Sequence, residues 1–157
     1  MKKKQLVIIV PMAIFIIIIA PYFIVPVLND ARTSIITNEV ASLPIPERTE
    51  ILEIVSGFGN TSGTGNHTEI WIGMLLKSEL SKDEIQDFFT KTYQFRYPGD
   101  RSSIETYSVK EDRHYSLVLS LIGKDLKKLK SDTDHDGYFV VGITENAISS
   151  FFDLRGH

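Results

Sequence analysis

The sharpest pattern of ligand-type side chains in the chain is Asp132-Thr133-Asp134-His135-Asp136-Gly137. It matches the first six positions of a D-x-D-x-D-G calcium loop, where alternate carboxylates and a turn-forming glycine wrap a hard cation. Such a loop fills its twelfth position with a bidentate Glu. Here that position is Ile143, and the nearest acid, Glu145, lies two residues beyond it. Bringing Glu145 to the cation would force two residues to bulge out of GYFVVGIT, whose pattern requires a straight strand. Asp132, Asp134 and Asp136 are therefore expected to form a polar turn without metal, with Asp136-Gly137 bending the chain into the last strand.

The remaining chemistry-bearing residues form no recognisable set. His67 and Glu69 are two apart on an expected strand and share a side, but no HExxH or third ligand accompanies them, so no zinc site is expected. The stretch SGFGNTSGTGNH has four glycines between Gly57 and Gly65, yet it lacks GxxxxGK[ST] and runs into a strand rather than a helix. It reads as a flexible connection. Asn60-Thr61-Ser62 and Asn66-His67-Thr68 fit glycosylation sequons, which matter only in a eukaryotic secretory pathway. No GxSxG occurs, and no catalytic residue or cofactor is expected. The chain has no cysteine, which removes disulfides, thiolate metal sites, cysteine nucleophiles and lipidated cysteine.

These residues are positioned by two unlike polymers within 157 residues. Residues 1–5 carry Lys2, Lys3 and Lys4. Residues 6–28 (LVIIVPMAIFIIIIAPYFIVPVL) contain no charge. As a helix this run covers about 34 Å, enough to cross a hydrocarbon core of about 30 Å. It exceeds the apolar region of a signal peptide, and its late alanine, Ala20, precedes Pro21, a poor peptidase substrate. The expectation is an uncleaved single-pass anchor, with a cleaved signal or a buried helix as the alternatives. Three lysines before the span put the N-terminus in the cytoplasm and the rest outside. Residues 29–157 hold 14 basic and 20 acidic side chains, a net −6 that argues against nucleic-acid binding.

Residues 29–47 read as a stalk, broken by Pro44 and Pro46. The domain, 48–157, is expected to be α+β: a small antiparallel sheet with helix packed on one face. TEILEIVSGFG fits either a helical face or a strand, and is read as a strand. HTEIWIGMLLKS alternates Ile70, Ile72, Met74 and Leu76, a strand with one buried face. LSKDEIQDFFTKTYQF is a helix, with Ser81 and Glu84 as a capping box, Leu80 and Ile85 as a staple, and a stripe of Ile85, Phe88, Phe89 and Tyr93. SIETYSVK and HYSLVLSLIG are expected to pair as a hairpin about Glu111-Asp112-Arg113. KDLKKLK is a turn of helix or a ragged strand end, GYFVVGIT a strand buried on both sides, and ENAISSFFDLRGH a terminal helix or tail. A chain beginning near Ser42 is expected to fold alone as a soluble monomer.

LPIPERTEI, GNTSGTGNHTEI and KSELSKDEIQDFF, within residues 43–95, resemble segments of small membrane-anchored proteins of Gram-positive bacteria with no known function. The resemblance implies a bacterial envelope setting and no activity. The function expected is a non-catalytic extracytoplasmic module that binds a protein or ligand. Its partners would be the bilayer, through residues 6–28, and an envelope protein. The alternative is a membrane-tethered envelope hydrolase.

Overall fold

The computed structural model describes residues 3–61, 67–112, 114–129, 135–148 and 152–156, with side chains from residue 9 onward. Asp132 and Asp134 lie outside the described residues. One α-helix, α1 (Lys3–Ala41), takes up the first quarter of the chain and passes through Pro11, Pro21 and Pro26. Each proline leaves the carbonyl four residues earlier without its helical donor. Apolar side chains from Ile9 to Ile18, with Phe23, Ile24 and Val27, stand exposed around this helix. A helix apolar on all sides needs an apolar surrounding. Since its apolar window is only 6% buried by the rest of the protein, it is not the core helix of a soluble fold. It is long and apolar enough to cross a membrane.

The helix does not end where the apolar run ends. Residues 29–41, expected as stalk, continue α1 and bury Ile36 and Val40 completely in the domain core. The 3.6-residue spacing of these two side chains is too sparse to stand out in a mixed sequence. Pro44 and Pro46 follow, and Arg48, in left-handed backbone (φ 60°), turns the chain into the first strand.

The domain is α+β, as expected. Four strands, β1 (Thr49–Gly59), β2 (Glu69–Ser78), β3 (Ser103–Ser108) and β4 (Tyr138–Asn146), form one antiparallel sheet in the order β1-β2-β4-β3. Helix α2 (Lys82–Thr92) begins as its sequence requires: Ser81 Oγ accepts from Glu84 N, and the Glu84 carboxylate accepts from Ser81 N at 2.8 Å. Its Ile85, Phe89 and Tyr93 pack with Ile36 and Val40 of α1 on one sheet face, against Ile70, Ile72, Met74, Leu76, Val141 and Ile143.

The other face is also covered, and here the sequence reading is corrected. HYSLVLSL is helix α3 (His114–Leu121), not a hairpin strand. Tyr115, Val118, Leu119 and Ile122 recur at helical spacing and pack with Trp71, Leu75, Tyr107 and Val140, leaving Leu117 and Leu121 exposed. Asp112 Oδ1 accepts from His114 N at 2.9 Å and starts the helix. Both periods fit this segment, and the apolar second face of the sheet decides between them. Strand β2 is accordingly buried on both faces rather than one. The Trp71 indole lies across the paired glycines Gly73 and Gly142, where an added Cβ would overlap its ring.

Two stability outcomes follow from this packing. A chain beginning at Ser42 loses Ile36 and Val40, whose full burial contributes about 3–6 kcal/mol together. It should melt far below a chain beginning at Leu28 in urea titrations, and equal midpoints would show that α1 is not part of the core. Ser81→Ala should cost about 1 kcal/mol through loss of the cap. A calorimetric melt of the full chain checks this, and an unchanged midpoint contradicts it.

Candidate functional site

Among the described residues, three groups of polar side chains are built around a buried Asn, Asp or Glu. The first joins the chain ends. Asn29 is fully buried on α1, where an unbonded amide would be costly. Its Nδ2 donates to Asp153 Oδ2 at 3.0 Å, and its Oδ1 accepts from Ile148 N at 3.0 Å. Arg155, within the short 3₁₀ turn Leu154–Gly156, donates Nε to Asp153 Oδ1 at 2.8 Å, Nη1 to Asp30 Oδ1 at 2.6 Å and Nη2 to the Pro26 carbonyl at 3.2 Å. Its guanidinium also lies 4.8 Å from the centre of the Phe58 ring. Phe152 packs edge-on against Tyr22 at 5.4 Å. The C-terminal segment therefore grips α1 from Tyr22 to Asp30, at the upper end of the apolar run. Burial alone would raise the Asp153 carboxyl, but hydrogen bonds from Arg155 and Asn29 outweigh it and hold the carboxyl below its usual range.

The second group surrounds Glu69, the first residue of β2 and 2% exposed. Its Oε2 accepts from Thr61 N at 3.1 Å and Thr61 Oγ1 at 2.9 Å. Its Oε1 lies 3.4 Å from Arg101 Nη1 and 3.3 Å from His67 Nε2. The Arg101 guanidinium also touches the His67 ring. His67 and Glu69 thus share a side, as their spacing requires. Beside them, Trp71, Ser103, Glu105, Tyr107, His114 and Thr144 line a cavity of about 190 Å³. That is below the roughly 300–1,000 Å³ of ordinary ligand sites. Tyr107 donates its hydroxyl to Glu105 Oε2 at 2.5 Å; burial first, then this carboxylate, push its ionisation well above the ordinary tyrosine value, so it remains a donor. The cavity can hydrogen-bond a small polar group. Glu69 already has donors on both oxygens, which tie the start of β2 to Thr61 and Arg101.

The third group is centred on Glu145, fully buried on the α2 side of the sheet. It accepts from Arg96 N at 3.0 Å, from Tyr97 N at 2.6 Å and from the Tyr93 hydroxyl. Burial, then the Glu145 contact, raise the Tyr93 ionisation far above its usual value. Glu145 thus fixes the chain leaving α2.

Of the three aspartates in the D-x-D-x-D-G pattern, Asp136 alone lies among the described residues. Asp136 and Gly137 form the expected turn into β4, with Gly137 in left-handed backbone (φ 75°) and its carbonyl accepting from Ser78 N at 2.8 Å. Asp136 Oδ1 bonds Lys110 Nζ at 2.6 Å. Ile143, at the twelfth position, is a core residue, and Glu145 sits nine residues up a straight strand, about 30 Å from Asp136. Neither supplies the bidentate acid. Among the described residues, no three His, Asp or Glu side chains come together as a metal site. Arg101, Glu105, Tyr107 and His114 had no sequence signal, because they reach the Glu69 cavity from the segment before β3, from β3 and from α3 rather than from β2 itself.

No protein family, curated protein or solved structure matches the chain.

The Asn29–Asp153–Arg155 cluster predicts a pH dependence. A carboxyl held below its unfolded value stabilises the fold above that value and loses the contribution as pH falls through the folded one. Asp153→Asn should therefore lower stability by about 1–3 kcal/mol at neutral pH. The gap to the parent protein should close as pH drops below about 4. Urea midpoints of both proteins at pH 3 to 8 test it, and a gap independent of pH refutes it.

Proposed function

We propose that this chain is a membrane-anchored, non-catalytic binding domain displayed on the outer face of a bacterial cell membrane. The observation that carries the reading is that the apolar helix and the domain are one body. The helix that is able to span a bilayer also closes the core with Ile36 and Val40, and the C-terminal segment clamps it at Tyr22, Pro26, Asn29 and Asp30. A signal peptidase needs extended backbone, whereas α1 is helical through this whole region. Cleavage near residue 28 would also discard half of the clamp. These features support a retained anchor over a removed signal.

With residues 6–25 in the hydrocarbon, about 30 Å of helix matches the core thickness. The ring of Phe152, the 68% exposed Leu154 and the Arg155 guanidinium then lie at the outer headgroup level. Aromatic and basic groups are favoured there. The domain stands directly on the membrane with no flexible stalk. Lys2, Lys3 and Lys4 support an inside N-terminus, and the resemblance to Gram-positive membrane-anchored proteins supports the envelope setting. The non-catalytic reading rests on how the acids are used. Glu69, Glu145 and Asp153 each hold backbone or side-chain donors that fix the fold.

The absence of cysteine makes the topology directly measurable. Glu79→Cys, at an exposed site at the end of β2 far from the clamp, should react with a membrane-impermeant maleimide on intact cells. Lys4→Cys should react only after the membrane is opened. The reverse pattern refutes the orientation, and an N-terminus mapped near residue 30 refutes the retained anchor.

A further inference from the structure

The two edges of the sheet are treated differently. The six-residue edge strand β3 has α2 beside it, and Gln86 Nε2 donates to the Ile104 carbonyl at 2.8 Å, taking up part of that edge. The opposite edge strand, β1, is eleven residues long and, among the described residues, pairs with β2 alone. Its outer side opens into two adjoining clefts of about 520 and 550 Å³, which share Ser56 and Lys124. Their common floor is the strand from Glu53 to Phe58. One wall is α1, through Thr33, Ser34, Thr37 and Asn38. The other is the segment from Ile122 to Lys127, held beside the strand by the bond from Lys128 N to Glu53 Oε2 at 2.8 Å.

A long unpaired edge is a template for strand pairing, and proteins usually blunt it. Here the blunting is partial. The ladder irregularity between Ile51 and Glu53 disrupts only the upper end, and register is regular from Glu53 to Gly59. That leaves about six residues, the length of a typical strand, in a slot between two walls, with the Arg155 guanidinium over Phe58 and Asp30 at its lower end. We propose that the outer edge of β1 between Glu53 and Phe58 is the binding site of this domain, taking an extended acidic segment of a partner protein as a fifth strand. This deepens the binding-module reading and rests on it for the side of the membrane on which the partner is found.

The walls specify the segment's chemistry. Side chains of an added strand alternate between the two faces. On one face they meet Lys124 and Lys127, with Asp125 between them and the exposed Lys128 next along, in a run KDLKKLK that carries four lysines and one aspartate in a domain of net −6. Acidic side chains fit there. On the other face they meet the short side chains of α1. The Thr33 and Thr37 hydroxyls turn back to helix carbonyls at 2.9 and 2.7 Å, which keeps this wall low and suits small residues. A second copy of this chain is a poorer occupant, because its own β1 lies between the same two walls, which would meet these before the edges could pair.

The test uses the full chain in lipid nanodiscs. The probe is a capped nonapeptide, Ser-Glu-Ser-Glu-Val-Glu-Ser-Glu-Ser, with its lysine-for-glutamate counterpart as control. The acidic peptide should bind saturably and the basic one should not. N-methylating one alternate set of its amides should abolish binding, and methylating the other set should leave it intact, since only one set faces β1. Amides within 53–58 should exchange at least about tenfold more slowly in the complex. The combined Lys124→Glu, Lys127→Glu and Lys128→Glu variant, checked for an unchanged melting midpoint, should bind at least about tenfold more weakly. Absence of saturable binding, equal sensitivity to both methylated sets, or protection outside β1 overturns the proposal. A chain already dimeric, with 53–58 protected before peptide is added, overturns it in favour of a second copy. Peptide binding with reversed maleimide labelling keeps the strand-addition site and rejects only the outer-face reading.

Discussion

The side chain of Asn29, fully buried on a helix whose apolar run below it is mostly exposed, holds the rest of the arrangement together. A buried amide with unmet hydrogen bonds costs a few kcal/mol. Here both ends are met by residues more than a hundred positions away, Ile148 and Asp153. That requirement brings the end of the chain back to its beginning. Arg155 extends the same contact to Asp30 and the Pro26 carbonyl, so the helix leaves the domain along a fixed line. Because the next turns of α1 carry Ile36 and Val40 into the core, the helix cannot swing without opening the domain.

The sheet is built to be covered twice. On one side α1 and α2 bury the even-numbered residues of β2, and on the other α3 buries Trp71 and Leu75. The indole lies flat only because Gly73 and Gly142 face each other in the ladder, leaving a shallow seat where two Cβ atoms would stand. Both faces being occupied, what the sheet leaves uncovered is its ends and edges. The buried acids follow the same logic. Glu145 is spent on Tyr93 and two backbone donors, and Glu69 on Thr61 and Arg101, so each closes a loop onto the sheet. The open cleft is instead found along β1, where α1 shows the sheet its short polar side chains.

Several elements were legible from local chemistry alone. The apolar run, the lysines before it, the capping box at Ser81 and the alternation of β2 and β4 each record a constraint contained within a few residues, and the structure contains the helix, the cap and the strands. The Asp136-Gly137 turn is of the same kind, since only a residue tolerating φ 75° can make it. The Glu69 cavity was not legible, although His67 and Glu69 were seen to share a side. Arg101, Tyr107 and His114 come to it from three other parts of the chain, and nothing in their spacing records that meeting.

What the sequence by itself determined is therefore what short-range sterics and hydropathy dictate: a membrane-length helix, an α+β order of elements, one well-capped helix and the principal strands. The tertiary structure decided the rest. HYSLVLSL satisfies both a two-residue and a 3.6-residue period, and it became helix because Trp71, Leu75 and Val140 needed a cover. Residues 29–41 look like a polar stalk, and became core because two of their side chains, Ile36 and Val40, meet a sheet that forms later in the chain. In each case the local preference is nearly balanced, and burial of apolar surface against a distant element, at about 25 cal/mol for each Å² removed from water, outweighs it.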